Sequence, residues 1–218
     1  MATGTTPGGN TRFPGFDVLD QAPTWDPITR AVVVRRLGPH APLRFFTVAE
    51  EAVCRPLLDR LLGQNGGPKV PLFELLDERL AHDETDGYRY EDMPPDGEAW
   101  RRSLPLLNED AVAGAGAHFW DLDPPPQLRV LEAVRTADDW HGFPAARLWS
   151  LWLRYAVAAF YSHPWSWNEI GFGGPAYPRG YKALGLDHRE NWERPEVDAR
   201  NPEPWAQRVE RARRAHHR

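Results

Sequence analysis

Cysteine is almost missing from this chain of 218 residues: Cys54 is the single one, and methionine occurs twice. One thiol excludes an internal disulfide framework, a CxxC redox pair, a zinc finger, a CxxCH haem attachment and a Cys-ligated iron–sulfur cluster. If redox chemistry runs beside this protein, its carrier sits elsewhere. A basic excess is missing too. Lys and Arg number 26 against 31 Asp and Glu, a formal charge of −5, and nucleic-acid affinity comes largely from clustered cations that neutralise phosphates. No nucleic-acid partner is expected. The longest strongly apolar stretch, Leu148 to Tyr161, is interrupted by Ser150 and Arg154. It falls short of the roughly 20 residues that cross a bilayer core as a helix, so no direct membrane span is expected. Met1 to Asn10 is rich in Gly and Thr, with no basic head leading into an apolar core. Arg35-Arg36 is followed by Leu37-Gly38-Pro39-His40-Ala41-Pro42, which cannot form an apolar targeting core. On the sequence as given, the chain reads as cytoplasmic.

What the chain has instead is 22 Pro and 10 Trp, within an ordinary 41% hydrophobic and 26% charged composition. That composition suits one domain with appendages. Residues 1–42 read as an irregular N-terminal arm, residues 43–187 as a helical domain, and residues 188–218 as a charged tail with the pattern of a polar helix from Pro204 to His217. Within the arm, residues 1–30 show no period, and Ala31-Val32-Val33-Val34 has the pattern of a short strand. Thr47-Val48-Ala49-Glu50 is a capping box. Behind it, Val53, Leu57, Leu58, Leu61 and Leu62 recur at helical spacing up to Gly63, with Pro56 predicting a kink or two abutting segments.

Pro71 opens a second helix through Leu72, Phe73, Leu75, Leu76 and Leu80, and residues 82–98 read as an acidic loop. Trp100, Leu104, Leu107, Ala111, Val112 and Ala115 mark a third helix, whose start Pro105 restricts. Asp123-Pro124 caps a fourth, and Pro144 starts a fifth that His163-Pro164 stops. No two strand signals lie a hairpin apart. The fold class read from this is all-α, a small helical bundle with long loops rich in Pro, Gly and aromatics and with irregular termini.

Sites of chemistry are scarce in the pattern. No G-x-S-x-G elbow occurs, and Cys54 lies in the apolar half of the first helix of the domain, where a buried, inert thiol is expected. Gly114-Ala115-Gly116 and Gly171-Phe172-Gly173-Gly174 lack the preceding strand and full spacing of a dinucleotide cradle, so this chain is not expected to bind FAD or NAD by itself. His82-Asp83-Glu84 and Asp138-Asp139-Trp140-His141 place ligand types side by side. Adjacent residues point apart, so solvated loop ends are expected there rather than a metal site. His163, at a helix end, is placed to meet the last carbonyls and the negative end of the dipole.

The most distinctive stretch runs from Tyr161 to Tyr181, read as a long loop from Trp165 onward. Asn168 and Glu169 sit among aromatics and need partners, either local N–H groups or Arg179. Two readings stand together. One is an ordered loop that caps the bundle; the other is a docking surface formed by Trp165, Trp167, Asn168, Glu169, Phe172, Tyr177, Arg179 and Tyr181.

Phe45-Phe46-Thr47-Val48-Ala49-Glu50, Val70-Pro71-Leu72-Phe73 and Phe160-Tyr161-Ser162-His163-Pro164 carry a resemblance, and above all so does Asn168-Glu169-Ile170-Gly171-Phe172-Gly173-Gly174-Pro175-Ala176-Tyr177-Pro178-Arg179-Gly180-Tyr181. Over residues 43–181 the sequence resembles the gluconate 2-dehydrogenase subunit 3 family, the small subunits of membrane-associated, flavin-dependent sugar and sugar-acid dehydrogenases. The resemblance implies a helical subunit that holds no cofactor. It implies a separate large subunit, of the glucose-methanol-choline type, that binds FAD and performs the oxidation, and a haem-containing third subunit that can carry electrons onward. The small subunit would support maturation, stability and often export of its partner. Many members carry a twin-arginine signal, so the alternative to a cytoplasmic placement is a periplasmic one within an exported complex. The resemblance transfers no catalytic residue, and the C-terminal block comes over as a candidate interface. A stand-alone enzyme with a pocket around His163, Asn168 and Glu169, walled by tryptophans, is the alternative function, and it needs those side chains to converge in one cleft.

Overall fold

The protein, seen here as a computed structural model, is described over residues 13, 15–66, 68–183, 185 and 188–194. Its first helical turns fall where the sequence pattern gave an irregular arm and a strand. Asp17 accepts from the Leu19 N–H and caps a 3-10 helix, Val18–Thr24. Asp26 then accepts from the Ile28 and Thr29 N–H groups and caps α1, Pro27–Arg35, with Pro27 in the first turn. The correction has a local cause. An Asp-Pro start fixes the first helical turn, and burial of Val33 in a tertiary contact outweighs the weak strand preference of a short β-branched run.

Thr47 and Glu50 close the expected capping box at α2, Val48–Leu62: Thr47 Oγ1 accepts from the Glu50 N–H and Glu50 Oε2 accepts from the Thr47 N–H. Pro56 lies inside this single helix rather than dividing it. α3 is Leu72–Ala81, and α4, Asp96–Ala115, runs through Pro105 instead of starting near it. α5, Pro124–Thr136, has Asp123 at its N-cap. A minimal hairpin follows that no strand pattern announces: β1, Asp139–Trp140, pairs antiparallel with β2, Phe143–Pro144. His141 and Gly142 both have positive φ, 50° and 81°, which suits the right-handed twist of a two-residue turn. α6 is Ala145–Ser162 and α7 is Pro164–Ile170. The expected loop from Trp165 therefore begins as helix.

The architecture is an all-α bundle in which α2 packs on α3, α4 and α6, while α6 also covers α3 and α5. Its core is aromatic at the centre. Trp100 and Trp152 are fully buried with ring centroids 6.4 Å apart, and Tyr155 meets Trp100 edge-on at 6.1 Å. Trp152 Nε1 donates to Ser103 Oγ, which donates in turn to the Trp100 carbonyl, so the polar atom that comes with the indole is satisfied within the core. Truncating such a tryptophan to Ala typically costs about 3–5 kcal/mol. Cys54 is buried in α2, and burial pushes its thiol pKa well up, which keeps it protonated.

A second, smaller core lies beside the first. Phe16, Val18, Trp25 and Val33 from the N-terminal region bury against Trp167 of α7, with Phe13, Leu19, Ala22 and Trp192 around them. The far end of the molecule is thus built from stretches distant in sequence. The polar helix read over residues 204–217 lies outside the described residues.

Candidate functional site

α7 begins with a histidine that acts as a cap. His163 takes the N-cap position with Pro164 behind it, and its Nδ1 accepts from the Trp165 N–H at 3.2 Å. The ring is buried, 1% exposed, beside the Arg36 backbone. Burial pushes its pKa down to about 4, against the smaller upward pull of the Arg36 contact. His163 is therefore a neutral N-cap for the next helix, not a charged group on the dipole of α6. The sequence could not show this, because a seven-residue helix that begins at Pro164 and ends before Gly171 carries too little period to be read.

Around that cap the block closes on the N-terminal region. Asn168, also buried, accepts from the Val18 N–H at 2.7 Å through Oδ1, and its Nδ2 donates to Asp17 Oδ1 at 3.3 Å. Trp167 Nε1 donates to the Tyr161 carbonyl at 2.6 Å. The glycines explain themselves by what lies above them. A Cβ on Gly171, whose φ is +67°, would stand 2.7 Å from the Phe13 ring, and one on Gly174 would stand 2.6 Å from Trp25. The indole of Trp192 covers Gly173 too closely for any side chain there. Gly-Phe-Gly-Gly is a seat for aromatic rings, not a phosphate cradle.

Of the residues singled out from the sequence, the structure divides structural from exposed. Trp167 and Asn168 are interior, and Trp165 is half-buried against the main core. Arg179 donates through Nη2 to the Gly173 carbonyl at 3.1 Å, with its guanidinium 4.4 Å over the Trp192 ring and 5.5 Å over Tyr181. Glu169 is half-buried and engaged. Phe172, Tyr177 and Tyr181 face solvent, Tyr177 at 71% exposure, and so do Tyr161 and Ile170 beside them. Of the eight expected residues two are thus buried, three half-buried and three exposed.

Elsewhere, polar groups serve the bundle. Asp77 of α3 accepts from the backbone N–H groups of Arg44, Phe45 and Phe46 at 2.8, 2.9 and 2.9 Å. Tyr155 donates to Asp96 at 2.7 Å, and its phenol pKa is pushed up, by burial first and by that carboxylate second. Asp86 pairs with both Arg79 and Arg154, which fastens the acidic loop to α3 and α6. A cleft of about 950 Å³ opens between the end of α1, α3 and α6, lined by Arg35, Arg36, Arg79, His82, Glu84 and Tyr155 among others. It reaches the distinctive block only at Ser162. Among the described residues no group of three or more His, Cys, Asp or Glu side chains is placed to hold a metal ion, and no helix is long and apolar enough to cross a membrane.

The fold and the block define an all-α bundle whose C-terminal aromatic segment is locked to its N-terminal region. The family described as gluconate 2-dehydrogenase subunit 3 matches residues 49–174, more than half of the chain, and the chain belongs to that family. The family is a subunit of a multi-subunit dehydrogenase, which implies partner chains. No curated protein and no solved structure matches the chain.

Proposed function

We propose that this chain is a non-catalytic small subunit that binds, stabilises or helps mature a separate FAD-dependent large subunit of the glucose-methanol-choline type, acting on sugars, sugar acids or alcohols. FAD belongs to that partner, and a haem-containing third subunit can extend the complex. Family membership carries the reading. A specific surface supports it: Tyr161, Ile170, Phe172, Tyr177 and Tyr181 cluster in sequence on a frame made rigid by the second core, yet face solvent. Aromatic anchors on preformed segments bind at low entropic cost.

The alternative of a stand-alone enzyme around His163, Asn168 and Glu169 draws no support from the geometry. The first two are buried and spend their polar atoms on backbone and arm contacts. Co-expression with a glucose-methanol-choline-type flavoprotein from the same source tests the proposal. Phe172→Asp together with Tyr177→Asp, both at exposed positions, should cut recovery of the flavin-containing complex about tenfold or more while the chain itself stays folded. A monomeric chain whose deletion leaves flavoenzyme yield unchanged would overturn it.

A further inference from the structure

α1 is held from one side. Val33 packs with Phe16, Val18, Trp25 and Trp167 in the second core, an apolar contact that fixes the helix on the α7 block. At about 3.6 residues per turn, Ile28, Val32 and Arg35 recur at i, i+4 and i+7 on a stripe that lies about 100° or more round the helix from Val33. All three are exposed, Ile28 at 78% and Val32 at 40%. Among the described residues the Arg35 guanidinium has no ion pair or hydrogen bond, although Glu78, Asp83 and Glu84 line the same cleft. Anchors at this spacing are the way a helix docks into a groove of another protein, and Arg is enriched at such contacts.

The stripe borders the exposed aromatics of the block. Arg36 falls between Val32 and Val33 around the helix. Its Nη1 donates to the Ser162 carbonyl at 2.8 Å, and its guanidinium lies 5.9 Å from the centre of the Trp167 ring. Trp167 in turn meets the exposed Phe172 edge-on at 5.5 Å and donates to the carbonyl of the exposed Tyr161. One surface therefore runs from Ile28 and Val32 across Arg36 to Tyr161 and Phe172. A stable interface engages about 20–30 residues a side, more than the exposed aromatics of the block supply, and α1 is their neighbour.

We propose that α1 belongs to the surface that takes the flavin-dependent large subunit: Ile28 and Val32 enter an apolar groove of that chain, and Arg35 meets a carboxylate at its rim. This rests on the reading of the chain as a small subunit, and it brings into the contact a helix that lies before the matched residues 49–174. Because Val33 orients the stripe in advance, little freedom is lost on docking. A lipid surface fits less well, since an interfacial helix buries a broad apolar face and the free stripe carries two aliphatic side chains.

Co-expression of the full chain with a glucose-methanol-choline-type flavoprotein from the same source, read as recovery of the flavin-containing complex, tests this. Ile28→Asp with Val32→Asp should cut recovery about tenfold or more, and Arg35→Glu about fivefold. Arg30→Glu, also exposed and unpaired but on another side of α1, should change it less than about twofold. A thermal midpoint close to the parent's shows that each chain is folded; should the double variant melt lower, Arg35→Glu decides alone. A loss below about twofold in the stripe variants, while Phe172→Asp with Tyr177→Asp still breaks the complex, overturns the role of α1 and leaves the small-subunit reading standing. If neither surface matters, both fall. An equal loss from Arg30→Glu overturns the proposal as an effect of net charge. It is overturned too if the stripe variants lose binding to vesicles of phosphatidylglycerol and phosphatidylcholine while recovery of the complex is unchanged.

Discussion

At the scale of single residues, the polar side chains that matter most to this fold sit where apolar ones are expected. Asp77 occupies the buried face of α3, between Phe73, Leu76 and Leu80, and holds the turn into α2 by three backbone N–H groups. In Asp77→Asn, one carboxylate oxygen becomes a donor that faces the Arg44 N–H, and the charge assistance is lost for all three. The expected cost is about 1–3 kcal/mol in denaturant unfolding, with the slope unchanged, and more for Asp77→Ala. A loss below about 0.5 kcal/mol would contradict the assignment. Asp77 carried a readable signal, a carboxylate at the spacing of a buried stripe, since such a group must find donors. Asn168 was readable in the same way, and its need for partners was. Which partners was not, because Val18 lies 150 positions away in the chain.

At the scale of elements, caps were legible and short elements were not. Thr47 to Glu50 announces α2 through its capping box, and the Asp-Pro pair at 123 and 124 marks the start of α5 through the first-turn proline, with Asp123 at the N-cap but accepting no cap hydrogen bond through its side chain. Asp26-Pro27 is the same pair with the cap bonds formed and starts α1, but it stands in a stretch whose Gly, Pro and Thr content suggested no helix at all. The hairpin at His141-Gly142 and the seven residues of α7 are too short for any period to show. Proline was read as punctuation at Pro71, Pro124, Pro144 and Pro164, which holds, whereas Pro56 and Pro105 lie inside helices that tertiary packing carries through. Pro105 is exposed in mid-helix and denies the Arg101 carbonyl its intrahelical donor. Pro105→Ala should raise stability by about 1–3 kcal/mol, seen as a higher midpoint in thermal or denaturant unfolding. An unchanged midpoint would show that α4 has already adjusted to the ring.

At the scale of the whole molecule, the family match and the physical unit do not coincide. The match runs over residues 49–174, whereas the second core takes Phe16, Val18, Trp25 and Val33 from before it and rests beside Trp192 after it. A fragment cut at 49 and 174 would carry Trp167 and Asn168 with their partners removed, exposing apolar surface and orphaning a buried amide. It should aggregate or melt well below the full chain, by about 10 °C or more in a thermal scan, and a fragment as stable as the parent would deny the second core any role. The exposed aromatic half of the candidate site was legible as composition; its division from the buried half was not, because that depends on an N-terminal region which reads as irregular. Phe16 and Trp192, near the two ends of the described chain, lie with ring centroids 6.3 Å apart. The backbone therefore closes almost into a ring, and the linear order of its helices is one of several that the same contacts admit: joined at that seam and reopened in the solvent-exposed stretch 82–92, the chain would be a circular permutant with both cores intact.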